Sequence, residues 1–330
     1  CYPVDDGSAR MSAVHRFRLV MPPADAAALH APTNVMSYAW RPATLIYDER
    51  EAFYDAALHL QSSERGRNEN YRVGFAVRLP ADHRFRGVQQ RLTFDRSGGY
   101  SGRGGRHDEM LLWHAVNHAG GLLGLECDLG QLFAPRADEN STALIRQSAF
   151  DGDYFDRQFD QGSDGQLFKL ELIYYPLTTV NGDPRAPKLP QPDDVVNVDL
   201  QDWGASPENY RWIFLQGNHA DADDYSRMMS VSKAFGQTGA SLEAQTGQLL
   251  DTDEWLRTLA FKAFAGDADT FTYGYNHNWQ IYFRPGDGRA LGLLWDMDFA
   301  FALSPDYGFP GGASAGAARF VNLPNNLRRY

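Results

Sequence analysis

Hydrophobic positions in the N-terminal half recur with a period of two. Val14 to Met21 alternates as a strand does (His15, Arg16, Phe17, Arg18, Leu19, Val20), and Pro22-Pro23 leads into a short helix over Ala24 to His30. Further strands are predicted at Thr44 to Tyr47, Ala56 to Leu60 and Tyr71 to Leu79. The last sets Tyr71, Val73, Phe75 and Val77 against Arg72, Ala76 and Arg78, as a half-buried strand should. A helix from Asp108 to His118, closed by Gly120-Gly121, follows a glycine-rich run from Ser97 to Gly105. Such runs can cradle phosphate through backbone amides, but this one lacks the P-loop lysine and threonine and reads better as a surface connection.

A strand over Gly165 to Tyr175 places Lys169 among Leu167, Phe168 and Leu170. Pro176, Pro184, Pro187, Pro190 and Pro192 then mark a linker, after which the period changes. Trp203 to Gly217, Ala220 to Phe235 and Asp251 to Ala265 read as helices, with Asp251 or Asp253 as the cap of the last. The pattern predicts an α+β protein of two lobes with a cleft between them. A β-rich N-terminal lobe with one helix would span residues 1–180, and a mostly helical C-terminal lobe 181–330.

Composition narrows what such a protein can do. At 330 residues, 43% hydrophobic and 13% aromatic, the chain can bury a sizeable core, and disorder is not the default. Its net charge of -11 argues against a nucleic-acid partner, which needs clustered Lys and Arg. No apolar run approaches the roughly 18 residues of a membrane span. Cys1 and Cys127 are the only cysteines, which excludes a disulfide framework or a cysteine-built zinc site and leaves one bridge between them open. Because the chain opens at Cys1 without a methionine, the natural N-terminus is expected to have been removed, along with any targeting signal. Only Lys169, Lys188, Lys233 and Lys262 supply lysine, so each is easy to weigh.

The chemistry concentrates in one segment. Gly266-Asp267-Ala268-Asp269 ends a helix in a polar loop, His277-Asn278 leads into Trp279 to Phe283, Pro285 to Gly288 turns, and Leu291 to Trp295 delivers Asp296 and Asp298. A hairpin so built brings loop polars beside the terminal carboxylates, and Asp and Asn oxygens suit a hard cation able to bridge to phosphate. The plainer alternative has Asp267 capping the helix, Asp269 making a turn, and Asp296 and Asp298 solvated. Convergence of these acids behind an apolar strand favours a site. Protein kinases supply the mechanical template: a loop Asp near the attacking hydroxyl, a metal-ligating Asn, a hairpin Asp on the metal and a strand lysine on the phosphates. Asp269, Asn278, Asp296 and Lys169 would fill those places, although a strand lysine facing water is an equal reading of Lys169.

With these residues the chain resembles the CotH family, bacterial spore-coat kinases and their relatives in secreted proteins. Gly266 to Asp269 followed by His277-Asn278, Ile281-Tyr282 and Leu294-Trp295-Asp296-Met297-Asp298 carry the resemblance. It implies an atypical bilobal protein-kinase-like fold and transfer of the ATP γ-phosphoryl group to Ser/Thr of serine-rich proteins. It further implies Mg²⁺ or Mn²⁺ as cofactor and an extracellular or cell-surface setting. Asp269 takes the family's loop aspartate, Asn278 the asparagine of its His-Asn pair and Asp296 the metal-binding aspartate, with Asp298 a second metal candidate.

The chain also departs from the family. Asn278 follows Asp269 by nine residues, a longer loop than relatives use. Leu144-Ile145-Arg146-Gln147 stands where relatives place a glutamate, so support of Lys169 would pass to an acid such as Glu109 or Glu171. The basic run before Tyr71 is reduced to Arg65, Arg67 and Arg72. The chain stops at Tyr330, where relatives continue, so a longer multidomain protein is expected. Two alternatives stay open: a non-catalytic surface or coat module with a structural cation, and a metal-dependent hydrolase using Asp269, His277, Asp296 and Asp298. The second is disfavoured because the nine histidines are scattered.

Overall fold

A computed structural model describes residues 14–300 apart from 32–33, 36, 63–66, 68–71, 97–105, 141, 171–172, 175–180, 182–194, 197–199, 212, 268 and 270–276. The glycine-rich run and the linker prolines therefore lie outside the described residues. The first elements in chain order are β1 (His15–Val20), α1 (Pro23–Leu29), β2 (Arg41–Tyr47), β3 (Glu51–Gln61), β4 (Gly74–Arg78), β5 (Arg91–Asp95), α2 (Arg106–Ala119), β6 (Cys127–Phe133) and β7 (Thr142–Ser148).

Seven strands close into a barrel in the order β1-β2-β3-β4-β5-β7-β6, sealed by the parallel pairing of β6 with β1. Alternation explains the closure: Phe17, Leu45, Leu60, Phe75, Phe94 and Leu144 are buried in one apolar cluster, and closure leaves no unpaired strand edge. Gln147 on β7 donates to Glu109 at 2.6 Å, tying α2 to the barrel.

The second half continues with α3 (Gly152–Gln158), β8 (Gln166–Leu170), β9 (Ile173–Tyr174), β10 (Val195–Val196), α4 (Glu208–Arg211), β11 (Phe214–Gln216), α5 (Ser226–Phe235), α6 (Gly239–Leu249), α7 (Thr252–Ala265), β12 (Trp279–Phe283) and β13 (Ala290–Leu294). Strands β11-β8-β12-β13 form an antiparallel sheet that is buried on both faces. Trp279, Ile281 and Phe283 pack with Trp255, Met228 and Phe235 of the helices. Tyr282, Leu167 and Leu293 pack with Trp113 and Phe155 on the other side. Asp251 caps α7, its carboxylate accepting from the Glu254 amide.

This architecture corrects the bilobal, kinase-like α+β arrangement with a helical C-terminal lobe. A closed seven-stranded barrel accompanies a four-stranded sheet and, among the described residues, seven α-helices. Two physical features hid it. Strand β7 turns Arg146 inward, where it donates to Gln89 at 3.0 Å and lies 5.5 Å from the Phe85 ring, so the period-two pattern breaks over a true strand. The stretch from Trp203 to Gly217 holds only the four-residue α4 and then β11, not one helix. Among the described residues no helix is long and apolar enough to cross a membrane.

Candidate functional site

Helix α7 ends at Gly266, whose φ of 68° is the left-handed conformation that glycine adopts without strain. The chain emerging there carries Asp267 and Asp269. The Asp267 carboxylate accepts from the Asp269 amide at 3.2 Å. Asn278 donates from Nδ2 to the Asp269 carbonyl at 2.9 Å and to its Oδ2 at 3.3 Å. His277 Nε2 lies 3.0 Å from Asp269 Oδ1. Asp269 is thus held from three directions.

The hairpin brings the remaining acids to the same end. Trp279 pairs with Leu294, so Asn278 and Trp295 emerge side by side from β12 and β13, and Asp296 follows. Asn278 and Asp296 have φ of 55° and 48°. Asn and Asp tolerate that region better than other side chains, yet each such residue costs about 1 kcal/mol or more. Lys262, fully buried on α7, bonds both adjoining carbonyls: Asn278 at 3.0 Å and Trp295 at 2.7 Å. Its third partner is Asp267 Oδ2, also at 3.0 Å. Full burial pushes the Asp267 carboxyl upward, and the neighbouring ammonium opposes that push. Asp298 lies in the turn after Met297, partly exposed.

Lys169 sits in the centre of the sheet, between Leu215 on β11 and Gln280 on β12. Its Nζ lies 5.3 Å from the centroid of the Trp295 ring, one residue before Asp296. Both side chains line a cavity of about 380 Å³ between the sheet and the outer face of the barrel. The barrel side contributes Tyr38 and Trp40 from the connection into β2, and His59 and Arg91 from β3 and β5. Arg78 and Arg91 lie 4.9 and 5.6 Å from the Trp40 ring. Burial pushes His59 down to about pH 4, with Arg67, Lys169 and Arg91 adding to that depression, so its ring is neutral near pH 7. Its Nδ1–H donates to the Leu60 carbonyl at 2.8 Å, which makes Nε2 an acceptor. Among the described residues the lining holds cations and aromatic rings but no Asp or Glu, in a chain whose net charge is -11.

A family model described as CotH kinase protein matches residues 149–323, just over half of the chain. The chain belongs to the CotH kinase family. No curated protein matches it significantly. The CotH match spans Lys169, Asp269, Asn278, Asp296 and Asp298, whereas the barrel strands, which end at Ser148, precede it.

Among the described residues no three His, Cys, Asp or Glu side chains gather as a metal cage. Asn278 turns its Nδ2 to Asp269, so Oδ1 is the atom it can offer a cation. Sequence reasoning missed Lys262 and the barrel wall of the cavity. Lys262 carried a signal: it shares the buried face of α7 with Trp255, Thr258 and Ala265, where a charge needs a partner. His59 and Arg91 carried none, because only barrel closure turns them toward Lys169.

Proposed function

We propose that the chain binds ATP with Mg²⁺ or Mn²⁺ in the cavity between barrel and sheet and transfers the γ-phosphoryl group to Ser or Thr of a protein. The cation-lined cavity, which has no Asp or Glu among its described lining residues and which reaches Trp295, the residue before Asp296, carries this reading. Its volume of about 380 Å³ falls within the range of small-molecule pockets, and Trp40 and Trp295 offer flat apolar faces to a base. Lys169 would bind the phosphates, with Arg91 opposite it. Asn278 and Asp296 would hold the cation, and Asp298 stands next in line as a further ligand. When bound, the cation would neutralise charge developing on the transferred group. Asp269, steadied by His277 and Asn278, would orient the acceptor hydroxyl and take its proton. On family grounds the proposal extends to a serine-rich protein acceptor at the cell surface or outside the cell.

Asp296→Ala tests it by calorimetry with ATP and Mn²⁺. The variant is expected to fold, with a small drop in melting temperature because alanine tolerates left-handed backbone less well than aspartate, and to lose metal-dependent ATP binding; unchanged affinity would sink the assignment. A second reading, a non-catalytic module with the same fold, has one observation in its favour. Glu109, a candidate to support Lys169, is buried and accepts from Gln147, and Arg146 points into the barrel. Absence of any ATP heat in the unaltered protein, with or without metal, would favour that reading.

A further inference from the structure

We propose that Lys262 is a positioning residue for phosphoryl transfer, its ammonium fixing the three segments that carry Asp269, Asn278 and Asp296 in one arrangement; this rests on the reading of the site as a metal–nucleotide centre. An ammonium has three N–H donors and no acceptor. Lys262 donates to the Asn278 and Trp295 carbonyls, at 3.0 and 2.7 Å, and its ammonium forms an ion pair with Asp267 Oδ2 at 3.0 Å. Each acceptor belongs to a different segment, and each lies on or beside a site residue. Asp267 holds the Asp269 amide, Asn278 is itself a candidate ligand, and the Trp295 carbonyl belongs to the peptide that opens Asp296.

A lysine serving only to neutralise Asp267 would need one of these bonds. The other two fall at residues that adopt or adjoin left-handed backbone, at Asn278 and Asp296, where the chain does not hold its shape unaided. Burying a charged pair contributes little net stability compared with apolar packing, so what the pair supplies here is geometry. Lys262 is 0% exposed and touches neither cavity nor solvent, which makes it a support and not a ligand-binding group.

The test uses the paired variant Lys262→Met/Asp267→Asn, which leaves no unpaired buried carboxylate, with Thr258→Ala as control. Thr258 is equally buried one turn earlier on α7, but its hydroxyl bonds Glu254 and none of the three segments. Melting temperature, ATP affinity without metal, and the Mn²⁺ concentration for half-maximal ATP binding are measured for each. The paired variant is expected to raise the Mn²⁺ requirement at least about 10-fold, as loss of groups behind a metal's ligands does, while metal-free ATP affinity holds. The control should leave both quantities unmoved. An unchanged Mn²⁺ requirement in the paired variant, or an equal rise in the control, overturns the proposal. If the paired variant does not fold, Asp267→Asn alone carries the test. It should shift the Mn²⁺ requirement a few-fold in the same direction, and no shift overturns the proposal. Failure of the unaltered protein to bind ATP with Mn²⁺ defeats the parent reading instead, so the two failures are distinct.

Discussion

The barrel and the four-stranded sheet handle the backbone differently. The barrel pairs every strand on both sides and encloses its apolar side chains, so its stability is spread over a continuous core. The sheet instead ends in two short segments with left-handed residues, held by a buried ammonium and carboxylate. The difference separates roles. The barrel supplies one wall and the aromatic and basic side of the cavity, while the sheet end carries the Asn and Asp oxygens proposed as ligands, whose placement depends on a few specific bonds. Substitutions in the barrel interior should act on stability, and substitutions at the sheet end on ligands and rate.

The largest effect expected on that comparison is at Asp269. Asp269→Asn should lower phosphoryl transfer to a serine-rich acceptor by on the order of 10³-fold in single-turnover assays while ATP affinity changes little. A rate within tenfold of the parent would remove Asp269 from the chemistry. In the barrel, Phe94→Ala deletes a fully buried ring and should cost about 3 kcal/mol in urea unfolding, with the Mn²⁺ dependence of ATP binding intact. A shifted metal dependence there would break the separation of roles.

Glu254 links the two behaviours. Burial raises its carboxyl to about pH 8, against hydrogen bonds from the Gly292 amide and the Thr258 hydroxyl. A folded pKa above the unfolded value means that the folded state holds the proton more tightly. The resulting stability is fully present below about pH 4.5 and is lost as pH rises through about 8. Unfolding titrations should show a loss of about 2 kcal/mol between roughly pH 6 and 8 that Glu254→Gln largely abolishes. A variant with the same alkaline slope as the parent would refute that assignment. Trp40→Ala, on the barrel side of the cavity, should weaken ATP binding roughly tenfold, about 1.4 kcal/mol, at the low end for loss of a stacking ring. Undiminished affinity would show that the barrel side does not take the base.

What the sequence made legible follows from the same contrast. Strands with clean alternation, such as β1 and β4, and the capped helix α7 were readable because one face of each is apolar and the other polar. Strands β5, β6 and β7 were not, since the barrel admits Arg146 to its interior and packs Glu109 against Gln147 outside. The acids of the candidate site could be placed at one end of the hairpin because they follow an apolar strand. Their neighbours in space could not. His59 and Arg91 approach Lys169 only through closure of a barrel built from strands far away in the chain, and α4 with β11 interrupts a stretch whose composition reads as helical.

Anomalous diffraction from crystals grown with Mn²⁺ and a non-hydrolysable ATP analogue tests the central claim most directly. The account predicts a Mn²⁺ peak about 2.1 Å from Asn278 Oδ1 and an Asp296 carboxylate oxygen, with phosphate oxygens completing the shell and Lys169 on the phosphates. A nucleotide bound elsewhere, or a Mn²⁺ peak remote from both side chains, would contradict it.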